Sequence, residues 1–212
     1  MIHSTSYDIM FNDDYLSKKT NNEIEQIRKI DKMNFLELFE NVDIYTTRFN
    51  NQTYQENMRY KQNHNITGAL YSTTLEFPNN TSFDKYLFVL EMNNDENRVM
   101  GISLLKNRLA KDQTIKLYSN PMFNNYIYKT SFHIPIVDEN LQWHSYIQDS
   151  WKIFIQKEFE KNLFYGKSNM KRGSSFTRFS KKKLKLEHLK FLCALFIVMN
   201  PNNFTNIITM FK

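Results

Sequence analysis

Tyr86-Leu-Phe-Val-Leu-Glu-Met92 and Val99-Met-Gly-Ile-Ser-Leu-Leu105 are two apolar runs of equal length near the middle of the chain. The six residues between them, Asn93-Asn-Asp-Glu-Asn-Arg98, are all polar. Apolar runs of this length, separated by Asn- and Asp-rich turn residues, are typical of strands. The pattern therefore predicts a β-hairpin, and it is the clearest hairpin signal in the chain.

Other short strands are predicted on both sides of this hairpin. Asp43–Phe49 is rich in β-branched and aromatic residues, and Ile66–Phe77 is a similar run that is closed by Pro78. Ile115–Tyr118 is a further short strand by the same criterion. By contrast, Asn51–Asn63 is polar throughout, which indicates either a surface helix or a long loop.

The stretch Asn125–Val137 alternates between two sets of residues, as a strand does. Lys129 and His133 belong to one set, and we expect them to point towards solvent or a ligand. Pro135 cannot donate a backbone hydrogen bond, which indicates an edge strand or a strand end. The set expected to face the core consists of Tyr126, Tyr128, Thr130, Phe132, Ile134 and Ile136.

Three helices are predicted from apolar residues that recur every three or four positions. The first spans Asn22–Phe39. The second spans about residues 138–164 and ends at Gly166, in a C-cap position. The last spans about residues 181–199, with basic residues at its start and apolar residues at its end.

The order of these elements predicts the fold class. About six strands gather in the middle of the chain instead of alternating with helices, which favours α+β over a doubly wound sheet. We expect a small mixed sheet or a partly closed barrel, with an N-terminal helix and two C-terminal helices. Residues 1–20 are predicted to form an irregular arm, and residues 21–212 a single domain.

Composition and the lengths of the apolar runs indicate the cellular location. The chain has 212 residues, 41% hydrophobic and 15% aromatic, which is enough for a core, and its many Asn and Lys residues are typical of an AT-rich genome. Cys193 is the only cysteine, so no intramolecular disulfide can form. The longest apolar run, Phe191–Met199, is about half of the ~20 residues that span a bilayer, and the first residues do not resemble a secretory signal. We expect an intracellular protein, cytoplasmic or nuclear, without a transmembrane segment.

One strongly basic segment lies between Asn162 and Leu192. It contains nine basic residues and one acidic residue, a net charge of +8, whereas the whole chain carries +6, so the remainder carries about −2. Unopposed charge of this kind repels itself unless an anion neutralises it. The alternative is a solvated turn and helix start, which is how runs of lysine are often explained.

The loop at residues 163–183 combines several properties of a phosphate-binding surface. Tyr165 and Phe176 are aromatic residues on which bases could stack. Arg172 and Arg178 offer the two-pronged donor geometry that suits phosphate oxygens. The residues predicted to contact nucleic acid are Tyr165, Lys167, Lys171, Arg172, Phe176, Arg178, Lys181, Lys182, Lys183 and Lys185.

Motifs for other functions are absent or incomplete. Gly166-Lys-Ser168 lacks the glycine that a P-loop requires five residues earlier. The pyrophosphate loop of acetyltransferases does not fit around Gly173, although the order of strands and helix keeps an acetyltransferase-like enzyme as an alternative. None of the five histidines has a His or Cys partner at metal-ligand spacing, and no Ser-His-Asp or G-x-S-x-G signature is present. We therefore predict no metal, cofactor or catalytic residue, and a non-enzymatic role is favoured.

Several segments together resemble uncharacterised proteins of large double-stranded DNA viruses: the strand pair Phe88-Val-Leu-Glu91 and Val99-Met-Gly-Ile-Ser103, the strand Asn125-Tyr-Ile-Tyr-Lys129, the long helix, and Gly166-Lys-Ser-x-x-Lys-Arg-Gly173. Over about residues 43–180, the order of elements is similar to that of PUA-like domains of the EVE and YTH group. Those domains are small barrels that bind modified or structured nucleic acid. The resemblance thus implies a barrel-like fold and a nucleic-acid ligand, and it transfers no individual functional residue.

The leading hypothesis is a small nucleic-acid-binding protein. Its basic loop and the start of its last helix would contact the phosphate backbone of DNA or RNA. A second hypothesis is a virion or scaffold protein whose basic segment docks on an acidic protein or an anionic membrane surface. The acetyltransferase-like enzyme is the third.

Overall fold

A computed structural model of the chain describes residues 42–136, 152–173, 175–180, 182–183 and 185–199. The predicted arm at residues 1–20, the predicted helix Asn22–Phe39 and the first part of the predicted helix 138–164 lie outside these ranges. Within them the architecture is α+β, as predicted, with seven strands in two sheets and helices beside them.

The chain divides into two compact units. One unit comprises Met1–Val42, Gln142–Phe154 and Lys181–Lys212, and the other comprises Asp43–Leu141 and Ile155–Ser180. Every strand that the structure describes belongs to the second unit.

The larger sheet is a mixed sheet of five strands. Its members are β1 (Asp43–Phe49), β3 (Tyr86–Asn93), β4 (Arg98–Lys106), β6 (His133–Pro135) and β7 (Thr177–Arg178), in the order β6-β4-β3-β1-β7. β1 and β3 are parallel, and the other neighbours are antiparallel. The hairpin β3–β4 and the strand β1 confirm the predictions for those segments.

The smaller sheet pairs β2 (Ala69–Thr73) with β5 (Tyr126–Thr130) in antiparallel register. The predicted strand Ile66–Phe77 is therefore shorter than expected, and Asn125–Val137 is split between the two sheets. Among the described residues the sheets remain separate and do not close into a barrel, so the mixed-sheet alternative is the one confirmed.

Side-chain hydrogen bonds explain where Asn125–Val137 breaks. Thr130 Oγ1 donates to the carbonyl of Leu104, and the backbone N–H of Phe132 donates back to that hydroxyl. The chain thereby turns from one sheet to the other after β5. Ile127 is as deeply buried as Tyr128, contrary to the predicted division into an inner and an outer face, whereas Lys129 is exposed as predicted.

The predicted strand Ile115–Tyr118 is wrong. Its backbone bonds to a side chain instead of a neighbouring strand: Asn124 Oδ1 accepts from the N–H groups of Leu117 and Tyr118, at 2.8 and 2.9 Å. A short 3-10 helix, Pro121–Phe123, makes the intervening turn. The segment packs irregularly against the core, with Leu117 buried.

The polar stretch after β1 is a helix, α1 (Asn51–Asn63). Asn50 and Thr53 form a capping box at its start, which satisfies backbone N–H groups that would otherwise lack a partner. This confirms the surface-helix alternative for the segment. It also means that β1, α1 and β3 form a strand–helix–strand connection between parallel strands.

The remaining helices lie towards the end of the chain. A π-helical stretch, Ile155–Glu160, continues into α2 (Lys161–Phe164), and Gly166 follows with a φ of 79°, as expected beyond a helix C-terminus. The last helix, α3 (Leu186–Met199), begins later than predicted, so Lys182 and Lys183 precede it. None of the helices that the structure describes is long and apolar enough to span a bilayer.

Aromatic rings dominate the core of the second unit. Phe77 stacks on Phe176 with ring centroids 4.0 Å apart. Tyr71 and Tyr128 meet the Phe176 ring edge-on, and Tyr45 meets Phe77 in the same way. The large aromatic side chains thus supply the buried apolar area that a chain with so few alanines needs.

Candidate functional site

Arg48 lies near the end of β1 and holds part of the basic loop against that strand. Its Nε donates to the carbonyl oxygen of Met170, and its Nη1 donates to that of Ser175, at 3.0 Å. More than 120 residues separate these partners along the chain. One guanidinium therefore fixes the position of the loop relative to the sheet.

No carboxylate among the described residues balances the charge of Arg48. Its Nη2 is buried, and in this part of the chain it has no hydrogen-bond partner and Arg48 forms no ion pair. Burial lowers the pKa of Arg48 to about 10. Arg48 is half-buried, and leaving its buried Nη2 without a partner is costly, so an anion bound beside Nη2 would relieve that cost.

A cavity of about 220 Å³ opens at this point. Ser72 and Asn94 line it together with Arg48, and each contributes a buried side-chain oxygen without a hydrogen-bond partner among the described residues. Ser72 is only 8% exposed. Buried polar atoms are normally satisfied in native structures, so three such groups in one cavity indicate a place for a polar ligand.

Gly173 allows the loop to approach Arg48 closely. Its φ is +117°, a conformation that favours glycine. A Cβ at this position would lie only 3.2 Å from Arg48 Nη1. The backbone conformation thus favours glycine here, and a side chain would also be crowded by the guanidinium.

The start of α1 also borders this cavity, but its backbone donors are already engaged. The N–H of Asn51 donates to Asp95 Oδ2, and the N–H of Thr53 donates to Asn50 Oδ1. An anion in this cavity would therefore be held by the guanidinium of Arg48 more than by the helix N-terminus.

Four of the residues predicted to bind nucleic acid stand at the surface of this loop. Tyr165, Lys167 and Arg172 are exposed. Lys171 is half-buried, and its Nζ donates to Asn97 Oδ1 at 2.8 Å. None of these three cations forms an ion pair with a described residue, so their charges remain uncompensated.

Arg178 and Phe176 are placed differently from the other predicted residues. Arg178 donates through Nε and Nη2 to Asp43 Oδ1, and this pairing raises its pKa. Phe176 is 4% exposed and belongs to the aromatic core. The guanidinium is thus already occupied, and the burial of the ring does not fit the predicted base stacking.

The remaining predicted residues belong to the other unit. Lys182 and Lys185 are exposed, Lys183 is half-buried, and the backbone N–H of Lys185 donates to His188 Nδ1. Lys181 lies outside the described residues. The ten predicted positions are therefore divided between two units.

A second polar cluster was missed by the sequence-based reasoning. Glu91, in the middle of β3, accepts a hydrogen bond from the hydroxyl of Tyr71 at 2.6 Å, and its Oε1 lies 3.0 Å from His133 Nε2. The Tyr71 hydroxyl also lies 2.7 Å from Ser103 Oγ. Since Tyr71 has a single hydroxyl proton, Ser103 must donate to it when it donates to Glu91.

Electrostatics keep Glu91 ionised in this buried setting. Burial by itself raises the pKa of the carboxyl, but the adjacent His133 ring, the hydrogen bond from Tyr71 and the charge of Lys61 together lower the pKa by more, below its ordinary value. The side chain of His133 is only 6% exposed. Of the two alternatives predicted for His133, solvent or a ligand, the first is therefore wrong, and the ring is packed against a carboxylate.

Weak signals for both clusters were present in the sequence. Arg48 is a single cation inside an otherwise uncharged end of a predicted strand, and Glu91 is a single acid inside an apolar run. Gly101 interrupts the facing apolar run. Isolated polar residues of this kind in buried strands deserve as much weight as clusters of charge.

No protein-family model matches the chain, and neither a curated protein nor a solved structure is significantly similar to it. Among the described residues, no group of three or more His, Cys, Asp or Glu side chains is arranged to hold a metal ion. The chemistry of the two clusters must therefore be inferred from their own geometry.

Proposed function

We propose that the protein binds nucleic acid, with one phosphate in the cavity beside Arg48 and neighbouring phosphates along the exposed cations of the loop. The observation that carries this proposal is the buried Nη2 of Arg48, which has no partner among the described residues. A guanidinium and a phosphate make strong, charge-assisted hydrogen bonds, and the preference is greater when the cation is desolvated.

Asn94 adds a hydrogen-bond acceptor to the anion site. Its Nδ2 donates to the carbonyl of Lys171, which fixes the orientation of the amide and leaves Oδ1 as a buried acceptor without a partner. The phosphodiester groups of nucleic acid carry no hydrogen to donate to that oxygen at neutral pH. A sugar hydroxyl or a base N–H would satisfy it, so the ligand needs an anion and a donor close together.

The charges outside the cavity favour a polymer over a single nucleotide. Lys167, Lys171 and Arg172 follow one another along the loop and lack acidic partners among the described residues. Four phosphate contacts, one at Arg48 and three at these residues, predict that log K falls with log salt with a slope of about −3 to −4. A mononucleotide would show a much smaller dependence.

Fluorescence anisotropy with labelled single-stranded RNA, single-stranded DNA and duplex DNA of equal length would test the proposal across a range of salt. We expect Arg48→Lys to weaken binding, because lysine keeps the charge but cannot hold both loop carbonyls and a phosphate. Arg59→Lys is the matched control, since Arg59 is exposed on α1 and does not line the cavity. Equal binding by the two variants would contradict the proposal.

A fourth labelled probe, polyglutamate, addresses the docking hypothesis. If the loop serves to dock an acidic protein, polyglutamate would bind with the same slope and the same dependence on Arg48 as nucleic acid. We expect it to bind more weakly than RNA or DNA, because ordering its long, flexible side chains costs conformational entropy. Binding of polyglutamate alone would favour the scaffold hypothesis.

A further inference from the structure

A second cavity, of about 450 Å³, lies against the Glu91–His133 pair in the same unit. Lys61, from the last turn of α1, and His133, from β6, both line it. Gln62, Asn65 and Thr67 add exposed amide and hydroxyl groups to its wall. Its volume falls within the range of cavities that hold small molecules.

Glu91 is placed to fix the His133 ring, which forms part of the cavity wall. The carboxylate is held by Tyr71, and its Oε1 lies 3.0 Å from His133 Nε2. Nε2 is buried, but its geometry is not that of a hydrogen bond, so the contact is electrostatic. With Nε2 turned to Glu91, Nδ1 is the ring nitrogen that remains to contact a ligand in the cavity.

The strand opposite Glu91 has a glycine, Gly101, at the position where a side chain would meet the Glu91–His133 pair. Gly101 is the ladder partner of Glu91 and, on its other side, of Pro135. A Cβ on Gly101 would lie 2.4 Å from Glu91 Oε2 and 2.7 Å from His133 Nε2. Any other residue would collide with both groups, so the glycine serves to accommodate the carboxylate and the imidazole.

Lys61 lacks an ion-pair partner among the carboxylates that the structure describes. Lys61 is 8% exposed and forms no ion pair with any residue that the structure describes. Glu91 influences it from a distance, but that carboxylate already contacts Tyr71 and His133. An almost buried ammonium group in a cavity rich in hydrogen-bond donors favours a further anion.

We propose that this cavity binds a small molecule through a carboxylate or phosphate group, which Lys61 contacts directly and to which the His133 ring donates. Glu91 acts as a positioning residue, since it orients the ring and does not reach the ligand. The donors of Lys61, Gln62, Asn65 and Thr67 all suit the oxygens of such a group. The site is separate from the Arg48 cavity, because the two share no lining residue.

Titration of the isotope-labelled full-length chain with inorganic phosphate and, separately, with acetate would test this inference by NMR. We expect one or both anions to shift the resonances of Lys61 and His133 in a saturable manner. A response to phosphate alone indicates a phosphorylated ligand, and a response to acetate alone indicates a carboxylate. Lack of a saturable shift with either anion would overturn the inference.

Single substitutions test whether the anion binds at Lys61 and not at another lysine. Lys61→Met should weaken the anion affinity about tenfold to a hundredfold, as expected for loss of one charged contact, whereas Lys61→Arg should largely retain it. Lys129→Met is the matched control, because Lys129 is exposed on β5. An unchanged affinity in Lys61→Met, or an equal loss in Lys129→Met, would contradict the proposal.

Two further variants keep the test decisive. If Lys61→Met does not fold, Thr67→Val removes a hydroxyl from the wall at an exposed position and should weaken binding of the same anion; an unchanged affinity there would also overturn the inference. Arg48→Lys should leave the anion affinity of this cavity unchanged. If instead that variant abolishes the shifts, the anion is bound at Arg48 and the second site does not exist.

Discussion

Arg178 on β7 donates to the buried carboxylate of Asp43 on β1, at 2.9 Å from Nε to Oδ1. Lys85 occupies the other oxygen of the same carboxylate, at 3.1 Å. The side chain of Asp43 is only 4% exposed, so these two cations are its main compensation. The pairing joins the basic loop to the edge of the sheet, and it gives Arg178 a role in stability.

The first prediction follows from this pairing. Replacing Arg178 by Met should lower the free energy of unfolding by about 1–3 kcal/mol, less than for a fully buried pair because the Arg178 side chain is 37% exposed. Urea denaturation of the purified variants would measure this. Arg172→Met, at an exposed position without an ion pair, should change stability by less than about 0.5 kcal/mol.

In nucleic-acid binding the order of the two variants should be reversed, with the larger effect in Arg172→Met. Arg172→Met should reduce the magnitude of the salt slope by about one, the loss of one phosphate contact. Arg178→Met should leave the slope unchanged in conditions where it is folded. A reduced slope in Arg178→Met alone would show that Arg178, and not Arg172, contacts the ligand.

Phe176 provides the second prediction. Its ring stacks on Phe77 in the core, so Phe176→Ala should lower the free energy of unfolding by about 3–5 kcal/mol through the cavity it leaves. Tyr165→Ala serves as the control, since Tyr165 is 60% exposed. Thermal or urea unfolding would report both, and a mild effect of Phe176→Ala would mean that the ring is not part of the core.

Local patterns were sufficient to predict the central strands. β1 and the hairpin β3–β4 are apolar or β-branched runs bounded by polar turns, and their positions follow from that pattern alone. The division of Asn125–Val137 was not predictable in this way, because the bond from Thr130 to Leu104 joins residues 26 positions apart. The PUA-like resemblance and the viral origin stay predictions.

The candidate sites were harder to predict than the fold. A count of charges finds the basic loop, but it cannot distinguish Arg178, which Asp43 neutralises, from Arg172, which is exposed. Arg48 stands more than 120 residues before the loop that it holds, so only the folded chain brings them together. Glu91 and His133 likewise become neighbours only through the pairing of β3, β4 and β6.

The third prediction concerns Gly101. Gly101→Ala should destabilise the protein by about 1–3 kcal/mol, because the new methyl group would collide with the Glu91 carboxylate and the His133 ring. Adding His133→Ala should relieve part of this cost, so that the double variant is less destabilised than the sum of the single variants. Simple additivity, measured by urea denaturation, would show that Gly101 does not make room for the pair.

The fourth prediction is a pH dependence that arises from Glu91. Its pKa in the folded protein lies below the ordinary value of 4.5. Ionisation of Glu91 therefore stabilises the fold fully above pH 4.5, and this contribution is lost as the pH falls through the lowered pKa. Glu91→Gln should be destabilised at neutral pH, by about 3–5 kcal/mol for a broken buried pair, and should approach the parent protein at acid pH.

Unfolding curves at several pH values would test this convergence. Glu76→Gln is the control, because Glu76 is exposed and its replacement should produce a difference that is small at every pH. A gap between Glu91→Gln and the parent protein that stays constant down to strongly acid pH would contradict the ionised state of Glu91.

The fifth prediction couples Arg48 to ligand binding through stability. In the free protein, burial disfavours the charged guanidinium and lowers its pKa to about 10, so a phosphate that pairs with Nη2 should stabilise the folded state. An oligonucleotide at about a hundredfold its Kd should add about 2.7 kcal/mol to the free energy of unfolding. In Arg48→Lys the same concentration should add much less, whereas Arg59→Lys should respond as the parent protein does.

Thermal unfolding with and without oligonucleotide would measure these increments. Equal increments in all three proteins would place the phosphate elsewhere, because a ligand can stabilise the fold through Arg48 only if its affinity depends on that side chain.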